Sequence, residues 1–172
     1  GVSPGVALIP IKVLDAHNTG TEIDLIDGIY HAVDHGADVI NMSLSFRPGF
    51  VPSPALLDAI AYASQMGVVM VAAAGNDALD QASWPAAHRE VIGVAAGTSV
   101  NKGRGTWAQK QGWAPYATRG PSVDVVAPGG RLDQDVDGNG NVDGILAESF
   151  ALNDPTKTGM WMMAGSSQAA AV

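Results

Sequence analysis

The last eight residues of the chain contain a candidate nucleophile. They read Gly165-Ser166-Ser167-Gln168, followed by a short run of alanines. A helix-forming run directly after Ser167 places this serine at a helix N-terminus, where free backbone N–H groups and the helix dipole favour a developing oxyanion. A serine at such a junction is also a common helix cap, and this segment taken alone favours the cap.

A second candidate, Asn76, follows the apolar run Val68–Ala74 in the segment Ala74-Gly75-Asn76. The apolar run predicts a buried strand, and in open α/β sheets ligands bind beyond the carboxyl ends of strands. An asparagine there can direct its amide N–H at a carbonyl oxygen that becomes negative during acyl transfer. The alternative is an Asx turn leaving the strand. A third segment, Asn41–Ser45, also ends a predicted strand and by itself indicates only a strand that meets a loop.

A candidate cation site lies in the acidic, glycine-rich tract at 131–144. Five side chains with oxygen atoms stand at alternate positions around Gly140 and suit a hard cation such as calcium: Asp135, Asp137, Asn139, Asn141 and Asp143. The last position of the calcium-loop pattern is Leu146 and not glutamate, so Glu148, a backbone carbonyl or water would have to replace that ligand. An acidic, turn-rich loop without a cation fits the pattern equally well.

The elements that must position these residues are predicted by hydrophobic periodicity. Apolar runs predict strands at 6–14, 38–44, 68–74, 91–95 and 123–127. Thr21 begins and Gly36 ends a predicted helix between the first two strands, with an apolar face of Ile23, Ile26, Ile29, Tyr30 and Val33. Ser53-Pro54 starts a second helix, whose predicted buried stripe is Leu56, Ala59, Ile60 and Ala63. Strands that alternate with helices indicate an α/β fold with a parallel sheet.

Composition narrows the classes of protein. Of the 172 residues, 47% are hydrophobic and 15% charged, which argues against disorder. The formal charge of −8 makes nucleic acid an unlikely partner, because an acidic surface repels phosphates. The absence of cysteine excludes disulfides and thiolate nucleophiles. The longest apolar run, 68–74, is too short to span a bilayer, and the polar stretch 101–114 is expected to form a surface loop.

Taken together, several ordered segments closely resemble the subtilisin-like serine proteases (subtilases). They are GVSPGV at residue 1, IPIKVLD at 9, HGADVINMSL at 35, AAAGN at 72, PAAHREVIGVA at 85, GPSVDVVAPG at 120 and the terminal Gly-Ser-Ser. The resemblance is collinear over nearly the whole chain and leaves variable loops near 101–114 and 131–160. It implies a three-layer α/β fold, incomplete at both ends, with a mostly parallel central sheet and helices on both faces.

The resemblance also implies roles for individual residues. Ser167 corresponds to the nucleophile of a serine endopeptidase that acts through an acyl-enzyme, and Asn76 to the side chain that helps the Ser167 N–H hold the oxyanion. The substrate-binding positions implied are Ser43, Leu44, Ser45, Ala74 and Gly75. A polypeptide substrate and an extracellular location are implied as well. The chemistry requires no cofactor, which leaves any calcium a structural part.

Four positions depart from the family pattern. Ser166 stands where threonine is usual, Gln168 where methionine is usual, Ala171 where proline is usual, and Ser45 where glycine is usual. The change at Ser166 keeps a hydroxyl. Gln168 places a polar amide where the family buries an apolar side chain.

The rest of a catalytic triad is not found in the sequence. A serine nucleophile needs a base and an orienting carboxylate, and in the family both precede the segment that matches Gly1–Gly5. None of His17, His31, His35 and His88 matches the base. We therefore expect residues 1–172 to form part of a peptidase domain, to be inactive alone and to require the N-terminal part of the same domain as a partner. The alternatives are a non-catalytic, subtilase-like peptide-binding protein and a calcium-dependent surface module.

Overall fold

The computed structural model describes residues 4–99, 111–135, 138–151 and 154–172. Helices and strands alternate through the first half, as the sequence predicts. In chain order, the elements are α1 (Glu22–Asp34), β1 (Val39–Met42), α2 (Pro54–Gln65), β2 (Val69–Ala73), β3 (Val91–Ser99), β4 (Gln111–Trp113), β5 (Val125–Pro128), β6 (Ile145–Ala151), β7 (Asp154–Met163) and α3 (Ser166–Ala170).

The two longer helices start and stop where their capping residues predict. Thr21 caps α1 in a capping box with Asp24, and the hydrogen bonds from Thr21 hold the pKa of the Asp24 carboxyl below its usual value. Gly36 follows this helix with a φ of +76°, a left-handed conformation that favours glycine. The Ser53 hydroxyl accepts the backbone N–H of Leu56 and so caps α2.

A mostly parallel sheet forms the centre of the fold. β1 pairs with β2 and β2 with β3, in each case parallel, and β5 runs parallel to β3 further along that strand. β4 pairs antiparallel with the end of β3. The predicted strands at 38–44, 68–74, 91–95 and 123–127 are confirmed with shifted ends. Parallel strands bring their carboxyl ends to one edge, and this edge holds the candidate site.

Helices lie on both faces of the sheet, although the face of α3 leaves Val39, Val69 and Ile92 exposed. The core between α1, α2 and the sheet includes Met42, Met70 and Ala72. Their neighbours along the strands point to the opposite face, where α3 packs against β1, β2, β3 and β5. All four residues of the predicted α2 stripe are buried. The prediction for α1 was wrong at Ile23, which is 68% exposed; the buried stripe of α1 contains Leu25, Gly28, Ile29, Ala32 and Val33.

The prediction of a strand at 6–14 was wrong. This segment has no strand pairing, and in the described part of the chain the sheet ends at β1, which pairs with β2. It lies along α1, where Val13 Cγ1 is 2.7 Å from the position that a Cβ on Gly28 would occupy. An apolar, β-branched run forms a strand only when a neighbour completes its hydrogen-bond ladder, and none of the described strands does so here.

Two predicted loops contain regular structure. Of the stretch 101–114, residues 101–110 lie outside the described residues, and 111–113 form β4 because they pair with Gly97–Ser99. In the stretch 131–160, β6 and β7 form an antiparallel hairpin that extends to Met163. The outer face of this hairpin exposes Leu146, Phe150 and Met160.

Candidate active site

Three segments distant in sequence meet at the carboxyl edge of the sheet. Asn41 and Ser43 lie at the end of β1, Asn76 follows β2, and Ser166 and Ser167 begin α3. Their proximity follows from the topology, because β1 and β2 are adjacent parallel strands and α3 packs against both. The structure therefore brings the sequence-predicted Ser167, Asn76 and Ser43 into one site.

Two reciprocal hydrogen bonds join Ser43 to Ser167. The Ser167 hydroxyl donates to the backbone oxygen of Ser43 at 3.1 Å. The Ser43 hydroxyl donates to the backbone oxygen of Ser167 at 2.9 Å and accepts from the Asn41 amide at 3.0 Å. The Ser167 side chain is half-buried, and its proton points to a carbonyl, which is too weak a base to activate it.

A second pair of bonds fixes the orientation of Asn76. The backbone N–H of Ser166 donates to Asn76 Oδ1 at 2.8 Å. The Ser166 hydroxyl, fully buried, accepts from the backbone N–H of Gly75 at 3.3 Å. Because Oδ1 is engaged by Ser166, the Nδ2 group of Asn76 faces the other way and is available as a donor. Sequence reasoning noted Ser166 only as a variant residue and missed this positioning role.

The Asn76 amide and the Ser167 N–H group lie close to Gly165. Asn76 Nδ2 is 3.5 Å, and the backbone nitrogen of Ser167 3.7 Å, from the position that a Cβ on Gly165 would occupy. Gly165 is buried, and its N–H donates to the Gly129 oxygen at 2.9 Å. A side chain at position 165 would fill the region beside these two nitrogens, and glycine leaves it free of a Cβ.

The wall of the site at Ala74 and Gly75 is buried and held by backbone bonds. Ala74 donates to Val94 and accepts from Ser83, both at 2.9 Å, and Gly75 accepts from Thr118 at 3.2 Å. A Cβ on Gly75 would meet the hydroxyl oxygens of Thr118 and Ser83 at 3.0 and 3.1 Å. Neither Ser83 nor Thr118 was identified from the sequence, since each lies in a stretch without periodicity and is placed by tertiary contacts.

Exposed and half-buried side chains alternate along Ser43–Ser45, as they do in an extended strand at the edge of a sheet. Ser43 and Ser45 are exposed, and Leu44 is half-buried against the core. Phe46 anchors the end of this segment, because its N–H donates to the Trp84 oxygen at 2.9 Å. The exposed backbone beside Ser167 can therefore pair with another extended chain.

The histidines do not complete a triad. His31 and His35 stack on each other on α1 with ring centroids 3.9 Å apart, and His17 lies 3.5 Å from Asp15. His88 contacts Trp84 and accepts the N–H of Glu90; burial lowers its pKa. Within the described residues, none of the four histidines has a hydrogen bond to Ser167.

The calcium-loop candidates lie in a separate turn. Both carboxylate oxygens of Asp135 accept backbone N–H groups, from Gly138 and Asn139 on one oxygen and from Gly140 on the other. Asp137 lies outside the described residues. Among the residues that are described, no group of three His, Cys, Asp or Glu side chains is placed to hold a metal ion.

Serine hydrolases use a serine near the start of a helix with N–H donors beside it, and the described site has this arrangement. Comparison with known proteins identifies the family. The Subtilase family (Peptidase S8) matches residues 1–172. This chain therefore belongs to the subtilases, the family of subtilisin-like serine proteases.

Individual relatives agree with this assignment. The chain is 39% identical to subtilisin DY of Bacillus licheniformis over 133 residues, which are 75% of this chain and 44% of that protein. It is 36% identical to thermitase of Thermoactinomyces vulgaris, over 75% of this chain and 42% of the relative. It is 34% identical to a thermophilic serine proteinase of Bacillus sp. (strain AK1), over 81% of this chain and 31% of that protein. The chain thus spans less than half the length of these relatives.

Solved structures show the same fold. A protease of Pseudoalteromonas arctica superposes with a TM-score of 0.71 at 30% identity, over 88% of this chain and 43% of that one. A lanthipeptide protease superposes with a TM-score of 0.75 at 24% identity, over 98% of this chain and 54% of that one. Within its described part, the chain contains no helix long and apolar enough to cross a membrane.

Proposed function

We propose that this chain supplies the nucleophile and the oxyanion hole of a serine endopeptidase, with Ser167 as the nucleophile. One observation carries the proposal: Ser167 lies in the first turn of α3, and Asn76 Nδ2 and the Ser167 nitrogen both lie within 4 Å of one point beside Gly165. A helix cap alone does not require an asparagine fixed by a second segment of chain. Membership of the subtilase family supports the same role.

The reaction follows from these positions. Ser167 Oγ attacks the carbonyl carbon of the scissile peptide while its proton passes to a histidine, which the N-terminal part of the domain supplies. The carbonyl oxygen becomes an oxyanion and accepts N–H groups from Asn76 and Ser167. The intermediate then collapses, the histidine returns the proton to the leaving amine, and an ester remains on Ser167. Water hydrolyses this ester by the same steps.

The substrate is a polypeptide in an extended conformation. Its backbone pairs with the exposed edge Ser43–Ser45, and the side chain before the scissile bond lies against Ala74 and Gly75. The bond from the Ser167 hydroxyl to the Ser43 backbone oxygen must open when substrate binds, because it occupies the hydroxyl that attacks. We place the complete protease outside the cell, as the family resemblance implies.

The test compares variants of the protein produced with the coding sequence upstream of Gly1. Steady-state hydrolysis of a chromogenic peptide should be lost in Ser167→Ala. It should fall in Asn76→Ala by roughly 10²–10³-fold in kcat, a magnitude itself measured on a subtilisin. Ser64→Ala, on α2, is the control and should change neither kcat nor KM. Residues 1–172 alone should show negligible turnover. A steady rate from them that Ser167→Ala abolishes would show that they do not need the N-terminal part of the domain.

A peptide-binding relative without catalysis is the alternative. It is favoured if the upstream sequence lacks the histidine or the aspartate of a triad. The same preparations would then bind peptide in a fluorescence titration and show no turnover, with Ser167→Ala indistinguishable from the parent protein.

We also propose that the loop 135–143 binds a structural calcium ion, which takes no part in the chemistry. The loop geometry supports it: three N–H groups converge on the Asp135 carboxylate, Asn139 Oδ1 accepts the N–H of Asn141, and the N–H of Asp143 donates to Gln134. These bonds fold the tract around Gly138 and Gly140. The remaining ligands would come from Asp137 and Asp143.

Calorimetric titration with calcium tests this site. The parent protein should give a binding heat that is lost in Asp135→Ala/Asp137→Ala. The heat should persist in Asp58→Ala, which removes one carboxylate from α2. No heat in the parent protein would remove calcium from the account and favour a turn-rich loop.

A further inference from the structure

Gln168, one residue after the proposed nucleophile, lies at the space that the oxyanion would enter. Its Oε1 atom is 2.9 Å from the position that a Cβ on Gly165 would occupy. Asn76 Nδ2 and the Ser167 nitrogen lie 3.5 and 3.7 Å from the same position. Three polar groups therefore lie within 4 Å of one point, and two of them are the proposed oxyanion donors.

Among the described residues, the Gln168 amide has one weak hydrogen-bond partner. Its Nε2 group is 4.0 Å from Met163 Sδ, a weak acceptor at the limit of contact. The side chain is half-buried. A half-turn about its last side-chain bond exchanges Oε1 with Nε2, and the weak bond to sulfur opposes this rotation only slightly.

The two orientations have opposite effects on a developing oxyanion. With Oε1 turned inward, a carbonyl dipole repels the negative charge and occupies its place. With Nε2 turned inward, the amide donates an N–H to that charge in a partly desolvated site, where such a bond is stronger than in water. Binding of a substrate carbonyl therefore favours rotation of the Gln168 amide.

We propose that Gln168 is a third donor of the oxyanion hole, which turns its Nε2–H toward the substrate oxygen when the tetrahedral intermediate forms. This inference rests on the proposed function. It adds a donor on a side chain to the donors of Asn76 and Ser167, and it gives the polar residue at position 168 a role in catalysis. No proton or electron is transferred through the amide.

Two substitutions of similar size separate the donor from a packing role. Gln168→Met removes the donor and keeps the length, so kcat should fall about tenfold while KM stays near the parent value, since the bond forms only in the transition state. Gln168→Glu keeps the shape and offers only acceptors when ionised. Its kcat should fall further, and the loss should deepen as pH rises through the pKa of the new carboxyl group.

The experiment uses the protein with its upstream part and adds a peptide aldehyde, which forms a tetrahedral oxyanion on the serine. Across the three proteins the aldehyde's inhibition constant should rise in proportion to the fall in kcat, and urea midpoints should stay close together. If Gln168→Met matches the parent in kcat and in aldehyde affinity, the third donor is overturned. If kcat and urea stability fall together while relative aldehyde affinity stays constant, the residue only packs.

These outcomes are distinct from failure of the proposed function. A parent protein without turnover overturns both proposals. An active parent whose Asn76→Ala variant is impaired, and whose Gln168 variants are unaffected, overturns only the role of Gln168.

Discussion

Replacement of Gly75 by alanine tests whether the wall beside Asn76 is built as tightly as the structure indicates. Gly75 has a φ of +116°, which residues with a Cβ rarely adopt. A Cβ there would also meet the hydroxyl oxygens of Thr118 and Ser83 at 3.0 and 3.1 Å. Two independent penalties therefore act on Gly75→Ala.

The size of each penalty follows from a general rule. The backbone conformation costs about 1–3 kcal/mol. The contacts add about 1–3 kcal/mol, because buried neighbours must move to admit a methyl group. We therefore expect Gly75→Ala to lower the free energy of unfolding by roughly 2–6 kcal/mol. Because Asn76 is the next residue, the displaced backbone should also weaken its bond to Ser166.

Urea unfolding followed by circular dichroism measures this loss, and two further variants separate its parts. Gly67→Ala is the matched control: its φ is +81° and no atom lies within 4 Å of the new Cβ, so only the backbone term of about 1 kcal/mol should appear. Thr118→Ala combined with Gly75→Ala should recover part of the contact term. If Gly75→Ala is no less stable than Gly67→Ala, the described packing around Gly75 is wrong.

Three smaller predictions concern the surroundings of the site. Ser166→Ala removes the acceptor of the buried Gly75 N–H and should lower the free energy of unfolding in urea by about 1–3 kcal/mol, whereas Ser166→Thr should not. Thr118→Val should leave the urea midpoint unchanged or raise it, since the Thr118 hydroxyl is buried without a partner among the described residues. Burial holds the pKa of His88 below its usual value, so the folded state takes up its proton less readily than the unfolded chain. The stability that neutral His88 contributes is present above about pH 6.5 and is lost as the pH falls from there toward the lower folded pKa. Over this range the urea midpoint of His88→Asn should decline less than that of the parent protein.

Much of the fold could be predicted from the sequence, because local signals determine it. The Ser53-Pro54 start and the stripe Leu56, Ala59, Ile60 and Ala63 place α2 almost to the residue. The apolar run at 68–74 likewise predicts β2. These elements are specified by capping chemistry and periodicity, which act within a few residues.

The two wrong predictions about strands, at 6–14 and at 111–113, share a physical cause. In both cases the outcome depends on a pairing partner elsewhere in the chain. Residues 6–14 have the composition of a strand and no described strand beside them. Gln111–Trp113 lie in a polar stretch and form β4 because they pair with the end of β3. Pairing between distant segments is not encoded in local pattern, so composition misled in both directions.

The candidate site divides in the same way. Ser167 and Asn76 could be selected from the sequence because their segments resemble a known family, and the structure brings both to one edge. Two features of the site depend on distances between α3 and the end of β2. They are the bond from Ser166 that fixes Asn76 and the position of Gln168 near the Asn76 amide. Such distances follow only from packing.

The most direct test of the central claim is to identify the residue that a serine-directed reagent modifies. The protein with its upstream part would be treated with a fluorophosphonate, digested and analysed by mass spectrometry. The account predicts one phosphonate on Ser167, with no label in Ser167→Ala and full label in Ser64→Ala. Label on another residue, or hydrolysis of peptide that persists in Ser167→Ala, would contradict it.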